Sequence, residues 1–113
     1  MRPAVYDPGE MDQKITIQRE TLTSDGMGGQ EVTVTDLLVD EWAAVRPLSG
    51  REFERYDAMQ ATAMVRFTIR FREGIRHNDR IIWQGTAHNI RYIPPASTRE
   101  MYLVMEAERG VAL

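Results

Sequence analysis

Met64-Val65-Arg66-Phe67-Thr68-Ile69-Arg70-Phe71-Arg72 alternates without a break, with Val65, Phe67, Ile69 and Phe71 on one side and Arg66, Thr68, Arg70 and Arg72 on the other. Successive side chains leave a pleated backbone in opposite directions, so a period of two predicts a strand with one buried and one wet face. Working towards the C-terminus, Glu73-Gly74 turns the chain. Arg80-Ile81-Ile82-Trp83 then pairs with Ala87 to Ile93 across a tight turn at Gln84-Gly85. Pro94-Pro95 ends that strand, and a last one over Glu100 to Glu108 places Met101, Leu103, Met105 and Ala107 inward.

Towards the N-terminus the same period recurs. Lys14 to Arg19 alternates with Ile15 and Ile17 on one face, and Glu31 to Thr35 alternates with Val32 and Val34 inward. Between them Ser24-Asp25-Gly26-Met27-Gly28-Gly29 gathers residues that tolerate positive φ or bond their own backbone, which predicts a hairpin loop. Leu37 to Leu48 reads as a further strand, ended near Pro47, which has no amide hydrogen to donate. Ser49-Gly50-Arg51-Glu52 has capping-box spacing, and the residues behind it are fair helix formers, so one short helix or loop is predicted over 49–61. Phe53, Tyr56 and Met59 recur at three-residue steps and would face the body. Residues 1–12, with Pro3, Pro8 and Gly9, read as an extended arm, and residues 13–113 as one domain. The prediction is an all-β fold, a small β-barrel of about six to seven short antiparallel strands with one insert.

A chain of 113 residues can build one core but not two. The hydrophobic share is 42% and the charged share 27%, a globular composition. No run approaches the roughly 18 to 20 apolar residues of a membrane helix, so no membrane partner is expected. Asp7, Glu10 and Asp12 interrupt the stretch where a signal peptide would be apolar. Cysteine is absent, which removes disulfides, thiolate metal sites and cysteine nucleophiles and favours synthesis in the cytoplasm. The net charge of −3 is uneven: Met1 to Asp57 holds 12 acidic and 6 basic residues, the remainder 5 and 8. If the fold separates those halves, the molecule is bipolar and can stack; if it interleaves them, the asymmetry cancels.

Signals for catalysis are weak. His77 and His88 are eleven residues apart with no metal-binding spacing, and no nucleophile elbow, Walker loop or dinucleotide fingerprint occurs. The glycine-rich loop has no helix behind it to hold a phosphate. Asp40-Glu41 and Glu52 with Glu54 read more simply as solvated charges than as an acid and base. Trp42 and Trp83 read as core anchors. No cofactor, metal or catalytic residue is assigned. Arg66, Arg70 and Arg72 form an arginine face that could contact single-stranded nucleic acid or another partner, although Phe67 and Phe71 alternate away from it and the pI of about 5.4 is unfavourable. A plain solvated strand face is the other reading.

Several segments, taken in order, resemble the head-tail joining family of tailed phages, also called head closure or stopper proteins. They are Lys14 to Arg19, the Asp25 to Gly29 loop, Glu41 to Glu52 with its Trp-Ala-Ala-Val-Arg-Pro-Leu-Ser-Gly-Arg-Glu run, Phe67 to Gly74, Arg80 to Gly85 with His88 to Ile90, and Leu103 to Glu106. The likeness covers about residues 13 to 109. The arm Met1 to Met11 is longer than the family's usual start, and Ala96 to Arg99 replaces a variable loop.

The resemblance implies a small β-barrel that is structural, not enzymatic. In a phage, prophage or gene transfer agent, copies would form a ring, dodecameric like the portal, beneath the portal and adaptor. The ring would close the head around its double-stranded DNA and provide the platform for a tail completion or tail terminator protein. Such a subunit works in virion assembly, sits in the neck at the head–tail interface, and is made in the bacterial host cytoplasm. On this reading Ser49, Arg51, Glu52, Glu54 and Arg55 of the insert face the lumen or a neighbouring subunit, unless Ser49 and Glu52 simply cap a surface helix. Asp25, Gly26, Met27, Gly28 and Gly29 form a docking loop. A small barrel that binds single-stranded nucleic acid through Arg66, Arg70 and Arg72 is the alternative.

Overall fold

The alternation around Phe67 becomes strand β3 (Met64–Arg70), the spine of an all-β fold in a computed structural model that describes residues 8–48, 63–94 and 101–110. The other strands are β1 (Gln13–Ser24), β2 (Gln30–Pro47), β4 (Arg80–Trp83), β5 (Thr86–Tyr92) and β6 (Tyr102–Arg109). Neighbours follow the order β1-β2-β3-β6-β5-β4, all antiparallel, and β4 pairs back onto β1 so that the sheet closes into a barrel. The closing seam is short: Thr16 to Ile82, Ile17 to Ile81 and Gln18 to Arg80.

Inward positions of every strand meet in one core. Ile15, Ile17, Ala43, Phe67, Ile69, Ile81, Ile90, Leu103, Met105 and Ala107 are all buried there. Each large side chain contributes about 1.5–3 kcal/mol of hydrophobic stabilisation. The ring of Phe67 meets Trp83 edge-on at 5.9 Å and His88 at 5.2 Å between centroids. The turn after β4 is the one its residues predict: Gln84 at φ 51° and Gly85 at φ 74° supply the two positive values that a primed two-residue hairpin needs.

Four expectations are corrected. The two strands read at Glu31 to Thr35 and Leu37 to Leu48 are one, because Asp36 does not break pairing; instead β2 takes up two extra residues relative to β1 through register shifts between Glu41 and Asp36. Asp40 sits at φ 52° inside that irregularity, where a bulged strand bends and twists more strongly. Val32 and Val34 are exposed, not inward, because that part of the hairpin runs past the barrel. Trp42 is 52% exposed on the outer wall, with the Lys14 ammonium 5.0 Å from its ring centroid. Phe71 and Met101 lie beyond the ends of β3 and β6 and are exposed, although one backbone bond, Phe71 N–H to Met101 O at 2.8 Å, prolongs the ladder.

Of the arm, the described part begins with a 3₁₀ turn at Pro8–Glu10, followed by a buried Met11. Glu10 pairs with Arg46 of β2. The short helix expected over 49–61 lies outside the described residues. No helix among the described residues is long and apolar enough to cross a membrane.

Candidate assembly surface

β1 and β2 are longer than the barrel requires. β1 pairs with β4 only as far as Gln18, and β2 pairs with β3 only from Ala44 onward, whereas the two pair with each other out to Ser24 and Gln30. The outer portions therefore project as a two-stranded ribbon with both outer backbone edges unpaired among the described residues. At about 3.4 Å per residue, Arg19 to Ser24 extends it by about 20 Å, consistent with overall extents of 57 × 31 × 26 Å.

The ribbon's two faces differ. Directly opposed residues of an antiparallel pair point the same way, so Leu22 with Val32 and Glu20 with Val34 share one face, while Thr21 with Thr33 and Arg19 with Thr35 share the other. Leu22, Val32 and Val34 are exposed, and Met27 at the tip is 90% exposed. Parity explains why the sequence misled: Leu22 is odd-numbered steps from Ile15 and Ile17, so the apolar stripe continues the outer wall of the barrel. Hydrophobic alternation shows which residues share a face; it does not show what covers that face.

The predicted docking loop Asp25 to Gly29 is the ribbon's tip, and it is internally tied. One oxygen of Asp25 accepts from the amides of Met27 at 2.7 Å and Gly29 at 3.0 Å, and Ser24 Oγ accepts from Gly26. Gly26 and Gly28 take φ values of 78° and 85°, which side chains other than glycine rarely adopt.

The ribbon's root is a polar lock that sequence spacing gave no sign of, since its partners are some sixty residues apart. Asp79, buried in the β3–β4 loop, accepts from Arg19 Nε at 2.7 Å, Arg19 Nη2 at 2.8 Å and the Arg76 amide at 2.7 Å. Arg19 Nη2 also donates to the Gly74 carbonyl at 2.6 Å. Hydrogen bonding to Asp79 raises the Arg19 pKa above its ordinary value, so this guanidinium stays charged. Arg80 bridges Glu20 and Gln18, and Gln18 donates to Asp36. These pairs, with Arg72 to Glu41, interleave the acidic and basic halves at the barrel. The ribbon remains acidic.

The arginines of β3 do not form one free row. Arg66 is half-buried and pairs with the fully buried Glu106 at 3.3 Å; Arg72 lies past the strand and pairs with Glu41; Arg70 is exposed and makes no ion pair among the described residues. The insert residues Ser49, Arg51, Glu52, Glu54 and Arg55 lie outside the described residues. His88 is buried in the aromatic cluster, its Nδ1 3.1 Å from the Thr86 carbonyl, and burial lowers its pKa. No group of three side chains suited to hold a metal occurs among the described residues.

Comparison with known proteins adds two findings. The sequence profile described as phage head completion protein matches residues 6–110. The solution structure of a Shigella flexneri 2a protein is similar in fold, with a TM-score of 0.72 and 29% identity, over 87% of this chain and 91% of that one. No curated protein matches the chain.

Proposed function

Because the chain belongs to the phage head completion protein family, we propose that it is a ring-forming subunit of the phage-type head–tail connector. In this reading copies sit beneath the portal and adaptor, retain the double-stranded DNA in the head, and offer the platform on which the tail docks. The coarse role, a structural part of the phage head–tail region, follows from the family itself. The carrying observation in the geometry is a closed barrel with a ribbon about 20 Å long whose outer part, beyond the Arg19 and Glu20 contacts at its root, packs on nothing among the described residues. A projection with a bare apolar stripe is built for contact with another molecule. The loop Asp25 to Gly29 at its tip would meet a neighbour in the neck, and Arg51 and Arg55 of the insert would face the lumen or the adjoining subunit.

Nothing in the geometry favours the single-stranded nucleic-acid reading, since two of its three arginines are held in ion pairs. Electron cryomicroscopy of tailed particles from the source tests the proposal. It expects a ring of this chain between head and tail, and complete tailed particles lacking it would refute the role. The insert is tested by Arg51→Glu with Arg55→Glu, which should leave the barrel folded and reduce DNA-retaining or tailed particles. Normal yield and DNA retention would remove the lumen or interface role of those arginines.

A further inference from the structure

On the outer wall a second bare surface matches the ribbon. Lys14 pairs with Trp42 across β1 and β2, and Arg70 pairs with Tyr102 across β3 and β6. Continuing the Ala44 to Thr68 register by two residues sets Trp42 opposite Arg70. One row of alternating cations and aromatics, Lys14, Trp42, Arg70 and Tyr102, thus crosses four strands. Trp42 and Arg70 line one cleft with Gly9, Met11 and Asp12. Phe71 and Met101, 43% and 70% exposed, lie past the strand ends on the inward parity of Ile69 and Leu103, and so are not part of this row.

We infer that the ribbon of one copy seats its Leu22, Val32 and Val34 stripe on the outer-wall cleft lined by Trp42 and Arg70 of the next copy. The inference rests on the ring reading above and names the contact that would build it. Three observations favour a second copy as the occupant. Each surface exposes large apolar side chains that no described residue covers. Their charges are complementary: beyond Glu20, which Arg80 holds, residues 21 to 36 carry Asp25, Glu31 and Asp36 and no cation, while the row supplies Lys14 and Arg70 against the cleft's Asp12. The ribbon's reach of about 20 Å is comparable to the 26 to 31 Å width of the molecule, enough to lie along a neighbour's flank. Two different patches meeting head to tail make a heterologous contact, which closes into a ring when its rotation divides a full turn.

The chain has no cysteine, so every thiol in the test is an introduced one. In purified particles, oxidation of the Val32→Cys, Arg70→Cys double variant should give a ladder of covalent oligomers on a non-reducing gel, while each single variant stays monomeric. Leu22→Arg, at an exposed site, should melt like the parent yet enter particles at least tenfold less. Covalent dimers from Val32→Cys alone would place ribbon on ribbon and overturn the inference. So would a visible ring with no ladder and with Leu22→Arg incorporated at parental yield, an outcome that leaves the connector role standing. Particles without the chain would overturn both.

Discussion

Phe67 and Phe71 are four residues apart on the same side of one alternating run, yet the barrel treats them as opposites, and truncating each to alanine measures the difference. Phe67 is fully buried and meets Trp83 and His88 edge-on. A buried Phe→Ala change costs about 3–5 kcal/mol through lost transfer energy and the cavity left behind. Two lost aromatic contacts, each worth about 0.5–1.5 kcal/mol, put Phe67→Ala at the upper end. Phe71 is 43% exposed beyond the end of β3, so Phe71→Ala should cost about 1 kcal/mol or less. Native domains have only about 5–15 kcal/mol in reserve, and for a chain of this length each kcal/mol moves the melting temperature by about 4 °C. Urea titration followed by far-ultraviolet circular dichroism, with a thermal melt beside it, should show Phe67→Ala shifted by about 15–20 °C and Phe71→Ala nearly unshifted. Equal losses would mean that the run continues into the core through Phe71, and the described end of β3 would be wrong.

Acidification should expose His88. Burial lowers its pKa in the folded state, so as pH falls below about 6.5 the unfolded chain takes up a proton first, and stability drops until the folded histidine also titrates; in His88→Gln that slope should flatten, and an unchanged slope would assign it to other groups. Asp79→Asn removes the charge that holds Arg19, and hydrogen exchange should quicken at the ribbon root and the β3–β4 loop before the rest of the barrel; uniform protection would deny Asp79 a local role. Gly85→Val forces a β-branched residue to φ 74°, which should cost about 1–2 kcal/mol, read as a shift in the urea midpoint; a neutral result would show that the turn can change type.

Much of the barrel was legible because its signals are local. Alternation around Phe67, the Gln84-Gly85 turn and the inward set Leu103, Met105 and Ala107 each depend on residues within a few positions of one another. What escaped depends on distant pairing. Arg66 loses its freedom to Glu106, forty residues on, and Arg19 to Asp79, sixty on. Val32 and Val34 have the pattern of a half-buried strand, but the register with Leu22 and Glu20 puts them on the face that continues the barrel's outer wall, which no described residue covers. Trp42 has the bulk of a core anchor and the parity of an outer-wall residue. The candidate assembly surface was therefore readable only at its glycine tip.

The narrow seam between β1 and β4 also governs how the molecule forms and opens. Three residue pairs close the barrel, and they join segments more than sixty residues apart, whereas the β1–β2 hairpin and the β4–β5 hairpin are local. Loop-closure entropy makes such distant pairing late and slow, so the seam is expected to zip last, after both hairpins exist. The same pairs are the smallest unit that can part while the other interstrand ladders persist, and amide exchange at Ile17 and Ile81 reports that event. In the parted state the barrel becomes an open six-stranded sheet with two fresh edges, and the Arg19 to Asp79 lock beside the seam is what keeps that state sparsely populated.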